Sequence, residues 1–186
     1  MRWKTLLSAL AATSCASAQR TCNGSPSLCD RRYSEVTFVG AHDSPFVGLS
    51  LSDNQHRSVQ GQLDMGVRFL QGQTHDKKGA VQLCHSSCDL RDAGTLAVFL
   101  APVKAFLDAN PGDVVTLLLT NGDNIAMSRF DEVFRAVGLD SYAFAPSGRL
   151  EIGGWPTLGE LVDRKKRLIV FMGECCPIVR GRYLPG

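Results

Sequence analysis

The stretch VVTLLL at Val114–Leu119 is apolar without the alternation that a half-exposed strand shows. Such a run predicts a strand covered on both faces, as in a parallel sheet flanked by helices. Apolar residues recur at helical spacing just before it, over Thr95–Asn110, and again after it, over about Ser128–Val137. Because strand and helix alternate around this run, the sequence predicts the βα units of an α/β fold.

Further strands are predicted on both sides of the run: Val36–Val39, Val67–Thr74, Val81–Cys84 and Arg167–Met172. Asp53 is the expected N-cap of a helix whose last residue, Met65, faces inward, and Thr157 is expected to open a short helix before the final strand. About four or five parallel strands fall short of a closed (β/α)8 barrel, which takes roughly 250 residues. We therefore expect one domain over residues 19–172, the N-terminal half of a TIM-type (β/α)8 barrel.

Residues 1–18 have the pattern of a secretory signal peptide. Two basic residues precede an apolar run at Leu6–Ala12, and the small residues Ala16, Ser17 and Ala18 follow it. The run is far shorter than the roughly 20 residues that span a bilayer. The alternative is a buried N-terminal helix. We expect an exported, extracellular protein that loses Cys15 together with the signal peptide.

Export decides how the remaining cysteines are interpreted, because disulfides form in oxidising compartments. Two short loops are the natural pairings: Cys22 with Cys29, and Cys84 with Cys88. The alternative for the second loop is a zinc site that includes His85, but no second ligand pair with suitable spacing exists in the sequence. Asn23 begins the sequon Asn-Gly-Ser, so it is a candidate for glycosylation.

The charge of the chain excludes one class of partner. A formal net charge of +2 and a pI near 8.2 are far from the concentrated basic surface that contacts a phosphate backbone. We therefore expect no nucleic-acid partner. The basic run Arg164–Arg167 is interpreted as a solvated helix end rather than a membrane patch.

Two histidines fall where predicted strands end. His42 and Asp43 follow the first strand, His85 follows the third, and Asn121 follows Val114–Leu119. Polar residues just past strand ends line the active face of parallel α/β folds. Two imidazoles suit phosphodiester cleavage, since one can take a proton from the attacking oxygen while the other gives one to the leaving oxygen. Asp43 is expected to point away from His42 along an extended backbone, and so to orient another group.

Other polar residues have ordinary structural interpretations. His56 lies in a predicted helix and His75 follows a strand in a turn, so both are expected at surface or supporting positions. Arg68 is interpreted as a structural ion-pairing group. Asn121, although at a strand end, is as consistent with a turn former as with a site residue, and the same holds for Asp123.

A series of short motifs resembles the X domain of phosphatidylinositol-specific phospholipase C. The motifs occur in this order: Gly40–Ser44, Gln62–Leu70 and Leu83–His85. The resemblance is closer to secreted fungal members of that phosphodiesterase superfamily, which share patterns like Leu83–Cys88 and Asn110–Leu119. The resemblance covers roughly residues 21–172, and the ordered series is more specific than any single motif.

The resemblance implies a TIM-type barrel in which an inositol hydroxyl attacks phosphorus and gives a cyclic phosphate. His42 would be the general base, His85 the general acid, and Asp43 the partner of His85. The implied partner is a phosphodiester lipid or a sugar-phosphate head group, met with at most transient contact with a membrane surface.

Two glutamines depart from the family pattern. The positions of Gln71 and Gln73 carry calcium-binding carboxylates or an arginine in the family, whereas here both side chains are neutral amides. An amide can donate a hydrogen bond to a phosphoryl oxygen but gives neither strong metal ligation nor positive charge. We expect Gln71, Gln73 and Asn121 to bind substrate and expect no cofactor; calcium stays open, although its usual carboxylate ligands are absent.

Length is the second departure, because family members continue through further strands and supply from them a carboxylate that orients the residue matching His42. Residues 173–186 diverge from the family, and the sequence offers no partner to Cys175 or Cys176. We interpret the chain as a truncated or mis-spliced product whose open barrel edges favour self-association.

The sequence leaves two candidate functions. The first is a phosphodiesterase that acts on phosphoinositide-like or glycolipid head groups. The second is a protein without catalytic activity, either an inactive fragment or a secreted binding protein.

Overall fold

A computed structural model describes residues 20–173. The predicted signal peptide, Cys15, Cys175 and Cys176 lie outside the described residues, as does the predicted tail beyond Gly173. Within the described part, no helix is long and apolar enough to cross a membrane.

The described residues form six strands and four α-helices. The strands are β1 Gly40–Ala41, β2 Phe69–Lys77, β3 Ala80–Cys84, β4 Asp92–Thr95, β5 Val115–Asn121 and β6 Leu168–Gly173. The helices are α1 Val59–Asp64, α2 Leu96–Ala109, α3 Met127–Val137 and α4 Leu158–Asp163. The two long helices and the apolar strand β5 were predicted within two residues of these bounds.

One mixed sheet carries all six strands in the order β4-β3-β2-β5-β6, with β1 paired to β2. Strands β1, β2, β5 and β6 run parallel, while β3 and β4 are antiparallel to their neighbours. The expectation of an all-parallel sheet was therefore wrong for β3. Lys78 and Gly79 both have positive φ angles, and this two-residue turn folds β3 straight back onto β2.

Three other sequence predictions near the site also differ from the structure. Val36–Val39 is not a buried strand, since Val39 is exposed and pairing begins only at Gly40. Helix α1 starts six residues after Asp53, and the hydroxyl of Ser58 caps it by accepting a hydrogen bond from the Gly61 amide. Met65 is exposed rather than inward.

Two apolar clusters hold the sheet. The larger one packs helices α1, α2 and α3 on one face, with fully buried Leu117 and Leu119 of β5 at its centre. The smaller one covers the other face with Tyr33, Trp155 and Ile169, and the Tyr33 hydroxyl pairs with that of Thr116 at 2.8 Å. Burial on both faces explains why the strand β5 lacks alternation in the sequence.

Two arginines belong to the framework. Arg68 donates from Nε to Asp113 at 2.9 Å and lies over the Phe106 ring, as its structural interpretation predicted. Arg167 is only 5% exposed, so the prediction of a wholly solvated run at 164–167 was wrong at its last residue. Its guanidinium is turned inward because three backbone carbonyls beneath α2 accept hydrogen bonds from it.

Both predicted disulfides are present. Cys22 is bonded to Cys29, and Cys84 is bonded to Cys88. The second bond uses both thiols, which removes the alternative of a zinc site at this loop. Asn23, the predicted glycosylation residue, has a positive φ, and its side-chain oxygen accepts a hydrogen bond from the Val114 amide at 2.7 Å.

Strand β6 lies at one edge of the sheet. A single parallel bridge joins Leu168 to Ala143 on the outer side of β6. A cavity of about 400 Å³ opens beside this edge, and the residues lining it include Phe144, Trp155 and Val170. Self-association through this edge stays a prediction.

Candidate active site

The sheet explains how the two histidines come together. Strand β5 occupies one edge of β2 over Phe69–Thr74, so β1 and β3 must both lie along the other edge. There they run toward each other, since β1 is parallel and β3 antiparallel to β2. The segments that leave them, beginning at His42 and His85, therefore meet beside Gln71 and Gln73.

Both imidazoles face one carboxylate oxygen. Oδ2 of Asp43 lies 3.2 Å from Nε2 of His42 and 3.5 Å from Nε2 of His85. The two Nε2 atoms are thus at most about 6.7 Å apart, the sum of those two distances. Asp43 is fully buried, whereas the His42 side chain is 71% exposed. Two imidazoles are therefore held within reach of a single bound group, with a negative charge beneath them.

Asp43 was expected to serve His85 and to point away from His42, and the second half of that expectation was wrong. The backbone of Asp43 is not extended but left-handed, with φ at 49°. This conformation costs a non-glycine residue about 1–2 kcal/mol and needs support from its surroundings. It turns the carboxylate back beneath its neighbour, so that both rings contact Asp43.

The two glutamines supply much of that support. Gln71 accepts a hydrogen bond from the Asp43 amide at 2.7 Å, and Gln73 donates one to Asp43 Oδ2 at 2.9 Å. Gln73 also accepts from the Ser86 amide, next to His85. Asp43 Oδ1 is buried and, among the described residues, has no hydrogen-bond partner. Gln71 and Gln73 therefore position the Asp43 carboxylate and link it to the loop after β3.

The same contacts test the fit of calcium. Calcium takes six to eight oxygen ligands, mostly carboxylates and carbonyls. Here the side-chain oxygens of Gln71 and Gln73 already accept hydrogen bonds from backbone amides. Within residues 20–173, no group of three or more His, Cys, Asp or Glu side chains is arranged to hold a metal. The residues at this position do not fit a calcium site.

His85 is held on several sides. Its Nδ1 lies 2.7 Å from the Ser52 carbonyl oxygen, and its ring stacks on Phe46 with centroids 5.2 Å apart. Its amide donates to the Arg91 carbonyl at 2.9 Å. The Cys84–Cys88 disulfide closes the loop around it. No local pattern pointed to Ser52 or Arg91, because Ser52 contacts the ring from a distant loop and Arg91 contacts the His85 backbone only once the loop after β3 is folded.

Asn121 does not join this group. Its side-chain amide donates to the Ile125 carbonyl and its oxygen accepts from the Ile125 amide, at 2.9 and 2.8 Å. Both ends of the side chain are thus used to shape the loop between β5 and α3. These contacts are those of a turn former, the alternative interpretation, and substrate binding by Asn121 stays a prediction.

His75 lies within strand β2, so the prediction that it follows a strand in a turn was wrong. Side chains alternate along a strand, so His75 shares a face of β2 with Gln71 and Gln73. Its Nδ1 is 3.2 Å from Asp123 Oδ1, and the other oxygen of Asp123 accepts from the Asp76 amide. This pair belongs to the wall beyond Gln73. His56 is exposed as predicted, but it lies in a bend before α1 rather than in a helix.

Comparison with known sequences gives consistent matches over most of the chain. The sequence model of the PI-PLC X 1 family matches residues 28–180. PI-PLC X domain-containing protein 1 of Arthroderma benhamiae is 54% identical over 165 residues, which cover 88% of this chain and 54% of that protein. A protein of the same fungus named as an uncharacterized secreted protein is 43% identical over 155 residues, covering 82% of this chain and 35% of that protein.

Comparison with solved structures supports the predicted fold class. A structure of phosphatidylinositol-specific phospholipase C of Staphylococcus aureus has a TM-score of 0.58 and 19% identity, over 76% of this chain and 49% of that one. Sheet and helices therefore have the arrangement of part of a TIM-type barrel. The chain spans about half the length of the first relative above. Its fold, its ordered motifs and the match over residues 28–180 show that the chain belongs to the PI-PLC X domain family.

Proposed function

We propose that this site cleaves the phosphodiester of a phosphoinositide-like or glycolipid head group by two-histidine acid/base catalysis. The observation that carries the proposal is the pair of Nε2 atoms, His42 and His85, facing one oxygen of buried Asp43. Membership of the PI-PLC X domain family supports the same reaction class. Extracellular action is part of the proposal, supported by the two disulfides and by the relative named as secreted.

The solvent exposure of each histidine and the contacts that hold it suggest which one is the base and which one is the acid. His42 is the more exposed ring and can reach a substrate hydroxyl, so it acts as general base. The hydroxyl oxygen bonds to phosphorus as the bond to the leaving oxygen breaks, and His85 donates a proton to that oxygen. Asp43 lies beneath both rings and stabilises the positive charge that passes between them. The product is a cyclic phosphate ester.

The reaction is proposed to run without a metal cofactor, because the donor chemistry of Gln71 and Gln73 does not suit calcium. Purified full-length chain should release nitrophenol from a chromogenic inositol phosphodiester, equally in calcium and in a chelator. His42→Ala should abolish this release, because the variant lacks the proposed general base. Turnover that is no higher than that of His42→Ala in either condition would refute the proposed activity.

The loop that contains Leu49, Leu51 and Ser52, here called the rim loop, is proposed to make transient contact with a membrane. Leu49 is 93% exposed and Leu51 is fully exposed, and both lie on the loop whose Ser52 carbonyl contacts His85. Burying a leucine side chain contributes about 1.5–3 kcal/mol, enough for weak and reversible attachment beside the site.

Replacing Leu49 and Leu51 together with serine should lower turnover of phosphatidylinositol in vesicles about tenfold or more. Turnover of the water-soluble diester should change little, because both leucine side chains are exposed to solvent. Ile152→Ser is the matched control, since Ile152 is exposed but lies in a separate turn that contacts Ser34. Equal losses on vesicles and on the soluble substrate would contradict a membrane role.

A non-catalytic binding protein is the second candidate, and one observation favours it. Among the described residues, Asp43 is the charged group within 4 Å of the His42 ring, and it approaches Nε2, the same atom that would take the substrate proton. A base needs its other nitrogen oriented to hold the right tautomer. Inositol phosphate binding without turnover would identify this second function.

A further inference from the structure

Nδ1 of His85 faces an atom that can only accept a hydrogen. The Ser52 carbonyl oxygen lies 2.7 Å from Nδ1, whereas Asp43 Oδ2 lies 3.5 Å from Nε2. The shorter contact keeps a hydrogen on Nδ1 in both the neutral and the charged ring. The proton that His85 loses and regains is therefore the one on Nε2. That nitrogen faces Asp43, which is where a general acid must carry its proton.

The carbonyl of Ser52 is fixed by Asp53, whose side chain is only 6% exposed. One carboxylate oxygen accepts from Arg91 Nε at 2.5 Å, and the other accepts from the Ser50 amide and hydroxyl at 3.0 and 2.8 Å. Arg91 holds the pKa of Asp53 down to about 2 through this hydrogen bond. The pair therefore stays ionised throughout the pH range in which a histidine titrates.

Arg91 reaches both loops that surround His85. Its side chain also donates to the Val47 carbonyl at 2.9 Å, at the start of the rim loop. Its own carbonyl accepts from the His85 amide, on the loop closed by the Cys84–Cys88 disulfide. The ion pair thus joins the segment that carries His85 to the segment that fixes its Nδ1 hydrogen.

We infer that Asp53 and Arg91 are positioning residues, a clamp that sets the tautomer of His85 by holding the Ser52 carbonyl against Nδ1. The consequence for turnover rests on the proposed function, whereas the consequence for the tautomer does not. Without the clamp, neutral His85 can carry its hydrogen on either nitrogen. When the clamp is lost, the ring still faces Asp43 and Phe46, but the loop that carries Ser52 no longer holds a carbonyl oxygen against Nδ1.

Gly48 provides a way to disturb the clamp without changing its charges. A Cβ atom at Gly48 would lie 2.1 Å from Asp53 Oδ2, so that alanine must displace the carboxylate. Arg91→Lys is a second variant, because one ammonium group cannot reproduce the planar fork that reaches both Asp53 and Val47. Neither change touches a group that contacts the substrate.

The test is a long-range proton–nitrogen correlation spectrum of the full chain with nitrogen-15 histidine, recorded without substrate. The wild-type spectrum should show neutral His85 with its hydrogen on Nδ1. Asp53→Asn, Gly48→Ala and Arg91→Lys should each shift the signal toward a mixture of tautomers and lower kcat about tenfold or more, with KM nearly unchanged. Asp131→Asn is the matched control, because it breaks an exposed ion pair with Arg135 on α3.

The outcomes separate this inference from the proposed function. An unchanged His85 tautomer in all variants that fold, as judged by their melting transitions, would overturn the clamp. So would a wild-type ring with its hydrogen on Nε2. If the tautomer shifts as expected but even the wild-type chain shows no turnover, the clamp is supported and the proposed activity fails. Should Asp53→Asn not fold, Gly48→Ala and Arg91→Lys decide the question.

Discussion

His85→Ala is expected to lower kcat for an inositol phosphodiester with an alkyl leaving group by about 10²–10⁴-fold, the usual contribution of a positioned general acid. An alkoxide is a poor leaving group and needs the proton that we propose His85 carries on Nε2. Nitrophenolate leaves without help, so the same variant should retain most of its activity on the chromogenic diester. The measurement is kcat for both substrates at one pH.

Comparison with His42→Ala makes this test specific for the acid. A missing general base slows both substrates, because the attacking hydroxyl is the same in each. His56→Ala is the control for loss of an imidazole, since His56 is exposed and outside the site. If His85→Ala slows both diesters equally, His85 is not the proton donor to the leaving oxygen.

Arg167→Met should produce the largest loss of stability. The Arg167 guanidinium donates to the carbonyl oxygens of Leu107, Asn110 and Asp113, all near the end of α2. Burial lowers the pKa of Arg167, but the group stays charged. Each buried acceptor left without a donor costs about 1–3 kcal/mol. We expect the free energy of unfolding to fall by about 3 kcal/mol or more, and the melting temperature by about 6–12 °C.

Arg164→Met is the matched control for that measurement. Arg164 belongs to the same basic run, but its side chain is largely exposed and approaches Glu160 no closer than 3.9 Å. An exposed pair of this kind contributes little, so the control should stay within about 0.5 kcal/mol of wild type. Urea titration followed by far-UV circular dichroism gives both values. Equal losses in the two variants would show that burial of Arg167 does not matter.

Local patterns predicted most elements because their causes are local. Apolar spacing placed α2 and α3, and Thr157 with Glu160 forms the capping box that opens α4. Short cysteine spacing predicted both disulfides correctly. The sequence predictions failed where a residue distant in sequence determines the local structure. Asp53 has the character of an N-cap, but Arg91, distant in sequence, binds its carboxylate and leaves Ser58 to cap α1.

The candidate site was predicted in composition but not in geometry. The order of the motifs identified His42, Asp43 and His85. The expectation that these residues meet was confirmed, but the expectation that all of them follow parallel strands was wrong. His85 ends an antiparallel strand, which on its own would place it at the opposite end of the sheet. It reaches His42 because β2 runs several residues past β1 before the turn at Lys78 and Gly79 returns the chain.

The sequence by itself determined most of the element types, the disulfide pairs and the identity of the residues that we propose carry protons, because periodicity, spacing and side-chain chemistry are properties of short segments. Only the tertiary structure decided that Asp43 serves both rings, that Gln71 and Gln73 support it, and that Asp53 and Arg91 surround His85. Those contacts depend on strand direction and register, which are set by pairing between segments far apart in the chain.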